Sequence, residues 1–274
     1  MVARLATGLV LAPLLVWLLL GGPLWLIVAI VALAAALSAH ELLSMFEETR
    51  GGLAGLAALL TAVVAATPVL PRGLGLPLLG VATTVLLIYC LRDPRDLPRQ
   101  SRAGALAGLT LAYVGAMAAA LSGIAALGPP PGPEGPFAFG PAALLGHFVL
   151  VFLGDTGAYF AGRFFGKHKL YPLVSPKKTI EGSFGGTLAT VVGFVVYAHY
   201  LLPQLGMVEA AAGAAIVGVV AQIGDLAESM FKRATGTKDS GKLLPGHGGM
   251  LDRIDGALFG APWTLSWLLL LHGA

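Results

Sequence analysis

The chain has 274 residues, of which 57% are hydrophobic and only 11% charged, and its mean hydropathy is +0.84. Soluble domains are roughly 45–50% apolar, so this chain has too little polar surface to stay in water, and a soluble globular protein is excluded. The modest formal charge of +3 conceals an uneven distribution, and the single Cys90 excludes an intrachain disulfide.

Turn residues and charges divide the chain into about nine apolar spans, at 5–20, 24–45, 52–70, 74–91, 103–127, 138–162, 183–203, 208–231 and 254–272. Most approach the roughly 20 residues that cross a bilayer. The first is read as a retained helix, because Gly21-Gly22-Pro23 leads at once into a second apolar run and no polar mature sequence follows. The Ala/Leu/Gly-rich first half, residues 1–127, reads as scaffold whose small residues allow close helix packing. Cys90 falls in the fourth span, where packing is its expected role. The tract GPPPGPEGP at 128–136 cannot be helical, since proline removes backbone donors and clashes with the preceding turn. Residues 138–274 then carry the polar motifs, within one polytopic domain covering 1–274.

Nine spans with a cytoplasmic N-terminus place the segments 1–4, 46–51, 92–102, 163–182 and 232–253 on one side. Of the 17 Lys and Arg, all but Arg72 lie in those segments. The positive-inside rule asks for this asymmetry. The expected fold is therefore an all-α integral membrane protein with its N-terminus in the cytoplasm and its C-terminus outside.

Acids inside spans cost at least a few kcal/mol and usually mark function. Asp155 lies in the sixth span, Asp225 and Glu228 in the eighth, and Asp255 opens the ninth. Gln222, Asp225, Ser229 and Lys232 recur at helical spacing and form one polar stripe. Glu228 stands four residues before Lys232, where an ion pair is favourable and would by itself account for the acid. Asp252 and Asp255 are three apart at a helix start, where capping also favours acids. Capping accounts less well for their convergence with Asp225 from a neighbouring helix. Carboxylates from two helices suit Mg²⁺, a hard ion that bridges to phosphates. Zinc is disfavoured, because the only thiol is remote and the histidines are scattered.

Around these acids the charge is dense. The stretch SMFKRATGTKDSGKLLPGHGGMLDRID, Ser229–Asp255, carries Lys232, Arg233, Lys238, Asp239 and Arg253 around a glycine turn with His247, Gly248 and Gly249. Glycines let a backbone approach phosphate oxygens closely. A second basic element, SPKKT at 175–179, adds Ser175, Lys177 and Lys178, which suit phosphate as point charges. There is no Walker loop, GxSxG elbow or HExxH motif. Composition alone leaves open a transporter of an anionic lipid or nucleotide.

These residues closely resemble the signature of the phosphatidate cytidylyltransferases, the CDP-diacylglycerol synthases. The match takes in Ser229, Lys232-Arg233, Lys238-Asp239, the Pro-x-His-Gly-Gly turn and the Asp-Arg-x-Asp ending. Upstream, GDTGAYFAGRFFGKHKLYPLVSPKKTIEGSFGG is similar to the family's second characteristic region. The resemblance implies transfer of CMP from CTP to phosphatidic acid, using Mg²⁺; a second metal or a monovalent ion beside it is left open. It also implies a bilayer setting in the cytoplasmic membrane, a site facing the cytoplasm, a homodimer and no nucleic-acid partner. Asp225 and Asp252 match the family's metal-associated acids, with Asp255 and Asp155 as further candidates. Lys232, Arg233, Asp239 and His247 are expected to serve catalysis. Ser175, Lys177, Lys178, Ser229, Lys238, Gly248, Gly249 and Arg253 are expected to bind substrate. A related transferase acting on another lipid phosphate remains the alternative within this chemistry.

Overall fold

The computed structural model describes residues 13–71, 73–243 and 248–271. Its helices are α1 (Leu24–Ser44), α2 (Gly52–Ala65), α3 (Gly75–Cys90), α4 (Leu97–Thr110), α5 (Met117–Ala125), α6 (Phe139–Phe165), α7 (Ile180–Leu201), α8 (Met207–Ala234) and α9 (Leu251–Leu271). A π-helical turn, Leu111–Ala116, joins α4 to α5 so that Pro94–Ala125 runs on as one span. Among the described residues, seven helical segments are long and apolar enough to cross a membrane, and α3 is shorter at 16 residues. The first predicted span lies largely outside the described residues, although 13–21 are helical. The tract at 128–136 is free of helix, as its prolines dictate.

The fold is all-α as expected, with one short exception. Strands β1 (Lys169–Tyr171) and β2 (Ser175–Thr179) form an antiparallel hairpin between α6 and α7, pairing Lys169 with Thr179 and Tyr171 with Ser175.

The chain divides into two compact units, with boundaries that cut α5, α8 and α9. The first comprises Met1–Leu14, Pro23–Gly123 and Phe231–Ile254. Its core joins Leu43, Leu53, Ala54, Ala57, Leu86, Cys90, Ala103 and Ala107 with neighbouring aliphatic side chains. The alanines let α2 and α4 approach closely, and Cys90 is buried among them as a small apolar residue. The unit also holds the loop between α8 and α9, so the N-terminal helices and the charged signature segment share one body.

The second unit comprises Leu15–Gly22, Ile124–Met230 and Asp255–Ala274. Helices α6 and α7 pack along most of their lengths because glycines face small residues across the seam. A Cβ on Gly157 would overlap that of Ala189, and one on Gly185 would overlap that of Ala161. Without a hydrophobic drive between helices in lipid, such backbone approach is what gains dispersion energy. Polar cross-links tie α7 to α8 as well. Ser183 and Thr187 of α7 bond the Gln222 amide of α8, whose Nε2 donates to Ser183 O at 3.3 Å and lies 3.2 Å from Thr187 Oγ1.

Candidate functional site

The second unit gathers acids. Asp225 and Glu228 lie on α8 and Asp255 on α9, and one carboxylate oxygen from each lies within 4.8 Å of the others. Glycine makes this crossing possible. A Cβ on Gly224 would come within 2.5 Å of Phe259 Cβ and 3.1 Å of Asp255 O, so a larger residue beside Asp225 would push the helices apart. Glu228 is only 1% exposed, while Asp225 and Asp255 are half-buried. At an effective dielectric of ~20, each pair of unit charges at such a separation repels by roughly 3 kcal/mol. A cation offsets that repulsion, and three oxygen donors with no thiol or imidazole among them form the hard set that a hard cation prefers.

One cation is already present. Lys178 Nζ lies 2.6 Å from Asp225 Oδ2, and Ser229 Oγ donates to Asp225 Oδ1 at 3.4 Å. The hairpin delivers this lysine. Along β2, Lys177 is exposed and Lys178 is half-buried. Glu181, in the first turn of α7, holds the start of the hairpin. Its carboxylate accepts the Lys167 N–H at 3.0 Å and the His168 N–H at 3.2 Å, and pairs with His168 Nδ1 at 2.6 Å. Thr179 caps α7 by accepting the Gly182 N–H at 3.1 Å. Ser175 begins β2 opposite Tyr171.

Asp252 occupies a different setting, in the first unit. Its Oδ1 accepts Lys232 Nζ at 2.7 Å, and the two side chains are only 7% and 11% exposed. Its Oδ2 accepts the Ser240 N–H at 2.9 Å, Ser240 Oγ at 3.0 Å and the Gly249 N–H at 2.8 Å. The reach back to Gly249 resembles the carboxylate half of a capping box. Helix α9 receives its other cap from far along the chain. Glu41 on α1 accepts the Met250 N–H with Oε1 and the Leu251 N–H with Oε2, both at 3.0 Å. The Ser240 hydroxyl has one proton to share between Asp252 and Glu41 Oε2, which is 3.1 Å away.

The glycines of this loop serve that cradle. A Cβ on Gly249 would overlap both Ser240 Oγ and Glu41 Oε2, and one on Gly241 would overlap Glu41 Oε1. Gly248 takes φ 82°, a left-handed conformation that L side chains rarely adopt. At the end of α8, Thr237 N donates to Lys232 O and Gly236 N to Arg233 O, a Schellman closure with Gly236 at φ 68°.

The residues expected from sequence thus fall into distinct places. Asp225 and Asp255 meet as expected, joined by Glu228, while Lys178 and Ser229 contact Asp225. Asp252 is outside that cluster and is held by Lys232, Ser240 and Gly249. Arg233, Lys238, Asp239 and Arg253 are exposed, with Arg233 Nη1 donating to Thr237 O at 3.2 Å. Asp155 is an exposed residue of α6 and is not in the cluster. His247 lies outside the described residues. Sequence reading missed Glu41 altogether, and the only signal was an acid standing one turn before the end of an apolar helix.

Comparison with known proteins agrees with the resemblance. The family model described as "Cytidylyltransferase family" matches residues 2–271. Phosphatidate cytidylyltransferases of Staphylococcus epidermidis and Staphylococcus haemolyticus are each 46% identical over 119 residues, and that of Staphylococcus aureus is 44% identical over the same length. Each match covers 43% of this chain and 46% of the relative, so the chain spans about half the length of the curated relatives it matches. With a family match over nearly its whole length, the chain belongs to the cytidylyltransferase family.

Proposed function

We propose that this chain is a phosphatidate cytidylyltransferase, transferring CMP from CTP to phosphatidic acid to give CDP-diacylglycerol and pyrophosphate. The observation that carries the reading is the trio Asp225, Glu228 and Asp255 with Lys178 beside it, in a chain of the cytidylyltransferase family. In the reaction a phosphatidate oxygen forms a bond to the α-phosphorus of CTP. The bond from that phosphorus to the bridging oxygen breaks, and pyrophosphate leaves with the electron pair. A phosphate monoester has its second pKa near ~6, so the nucleophile is largely dianionic at neutral pH and needs no strong base. The obstacle is repulsion between two anions.

The chain's residues address that obstacle by charge and position. Asp225, Glu228 and Asp255 would hold Mg²⁺, which when bound supplies Lewis-acid neutralisation of phosphate oxygens. Lys178, tied to Asp225, is placed to neutralise a phosphate that enters beside the acids. Asp252 holds Lys232 and the Gly248-Gly249 turn in one arrangement within the first unit. Arg233, Lys238, Arg253 and Lys177 add exposed positive charge that attracts CTP and lipid headgroups. Asp239 and Ser175 belong to the same two loops, and His247 with its neighbouring glycines would shape the pyrophosphate pocket.

The concentration of Lys and Arg in the loops supports a site on the cytoplasmic side of the cell membrane, and with it the proposed nine spans with N-terminus in and C-terminus out. The homodimer rests on the resemblance alone. An acceptor series tests the substrate. Purified protein with CTP and Mg²⁺ is expected to consume phosphatidate and leave a polyprenyl phosphate untouched. The reverse preference would move the chain to another lipid acceptor.

A further inference from the structure

We propose that His147 is a positioning residue for Asp255, fixing the rotation of α9 so that this carboxylate meets Asp225 and Glu228. The inference rests on the reading of that acid trio as a metal site.

His147 is fully buried in an otherwise apolar stretch of α6, PAALLGHFVLVFL. An imidazole is costly there unless both ring nitrogens find partners, and both do. Nε2 lies 2.9 Å from Ala257 O and Nδ1 lies 2.9 Å from Thr264 Oγ1. A carbonyl can only accept, so Nε2 carries the proton and Nδ1 accepts from the threonine hydroxyl. The bonding pattern therefore selects one neutral tautomer.

Both partners belong to α9. Ala257 follows Asp255 by two residues, and Thr264 stands two helical turns further along. Between them Gly260 lets the ring rest against the helix backbone, where an added Cβ would lie 3.0 Å from His147 Cε1. Pro262 interrupts the same stretch and removes the donor that would have met the Leu258 carbonyl. External bonds thus hold α9 where its own ladder is weakened. A residue that merely filled this space would carry no directional bonds. Two directional bonds, to points two turns apart on one face of α9, fix the helix about its own axis, and that rotation determines where Asp255 points. Metal ligands tolerate displacements of only about 0.2 Å, so a small rotation of α9 loosens the site.

Direct Mn²⁺ titration of the purified full chain in detergent, read by the EPR signal of free Mn²⁺, tests this without recourse to turnover. His147→Phe removes both bonds and is expected to weaken Mn²⁺ binding about tenfold, the scale at which residues supporting metal ligands act. His147→Gln, which can still donate to Ala257, is expected to recover most of the affinity. Thr264→Val removes one bond and is expected to weaken binding roughly threefold, so it decides the matter should His147→Phe not fold. Wild-type Mn²⁺ affinity in folded His147→Phe or in Thr264→Val, with only a lower melting temperature, would overturn the proposal. Asp255→Asn is the control for the underlying reading. Undiminished Mn²⁺ binding by that variant shows that the acid trio is not the metal site, and the role of His147 falls with it.

Discussion

Asp225→Asn is expected to abolish CTP-dependent turnover, by at least about 100-fold, while leaving the protein folded. Asp225 is bonded by Lys178 at 2.6 Å and by Ser229 at 3.4 Å. An amide there preserves shape but removes one charge from the set that attracts a cation. It also leaves Lys178 facing a dipole rather than an anion, so the hairpin loses its tie to α8. The pair is only partly buried, with side chains 26% and 35% exposed, so the penalty to stability is small and the effect falls on the chemistry. Turnover at saturating Mg²⁺ together with a thermal melt separates the two. A variant with near-normal turnover would remove Asp225 from the site.

Asp252→Asn is expected to abolish turnover as well, but through a different physical route. Here the partners are almost fully buried, Lys232 against Asp252 at 2.7 Å. Breaking a buried pair from one side typically costs about 3–5 kcal/mol, because it strands the remaining charge. Moreover, the carboxylate is an acceptor on both oxygens, and an amide NH₂ turned toward either Lys232 or the Ser240 and Gly249 N–H groups would set donor against donor. The melting temperature is therefore expected to fall along with activity, unlike that of Asp225→Asn. Asp252→Asn that melts like wild type would contradict the cradle described above.

The two acids looked alike in the sequence, and the difference between them is instructive. Spacing placed Asp252 and Asp255 on one side of a helix start, and nothing local told which would meet Asp225. The deciding contacts come from Ser240, twelve residues before Asp252, and from Glu41, 199 residues before Ser240. Glu41 carried no motif of its own, since a carboxylate that caps a distant helix is defined by tertiary contact. Glu228 was discounted for the opposite reason, because Lys232 four residues on offered a sufficient local explanation. The hairpin was missed because β2 is five residues long and contains Pro176, too short and too irregular for period-2 alternation to register. Long apolar helices, by contrast, were legible throughout, since their signal accumulates over some twenty residues. The pairing of α6 with α7 was not, because glycines such as Gly157 and Gly185 disclose a seam only once their partners Ala189 and Ala161 are known.

The central claim, that this chain joins CTP to phosphatidate, is tested most directly by pyrophosphate. Purified protein in mixed micelles with phosphatidate, CTP and Mg²⁺ is expected to release pyrophosphate in equal amount to the CDP-diacylglycerol formed. Release is expected to cease when either phosphatidate or Mg²⁺ is withheld. Folded protein that binds CTP and phosphatidate yet liberates no pyrophosphate would contradict the account and return the chain to the carriers of anionic lipids or nucleotides.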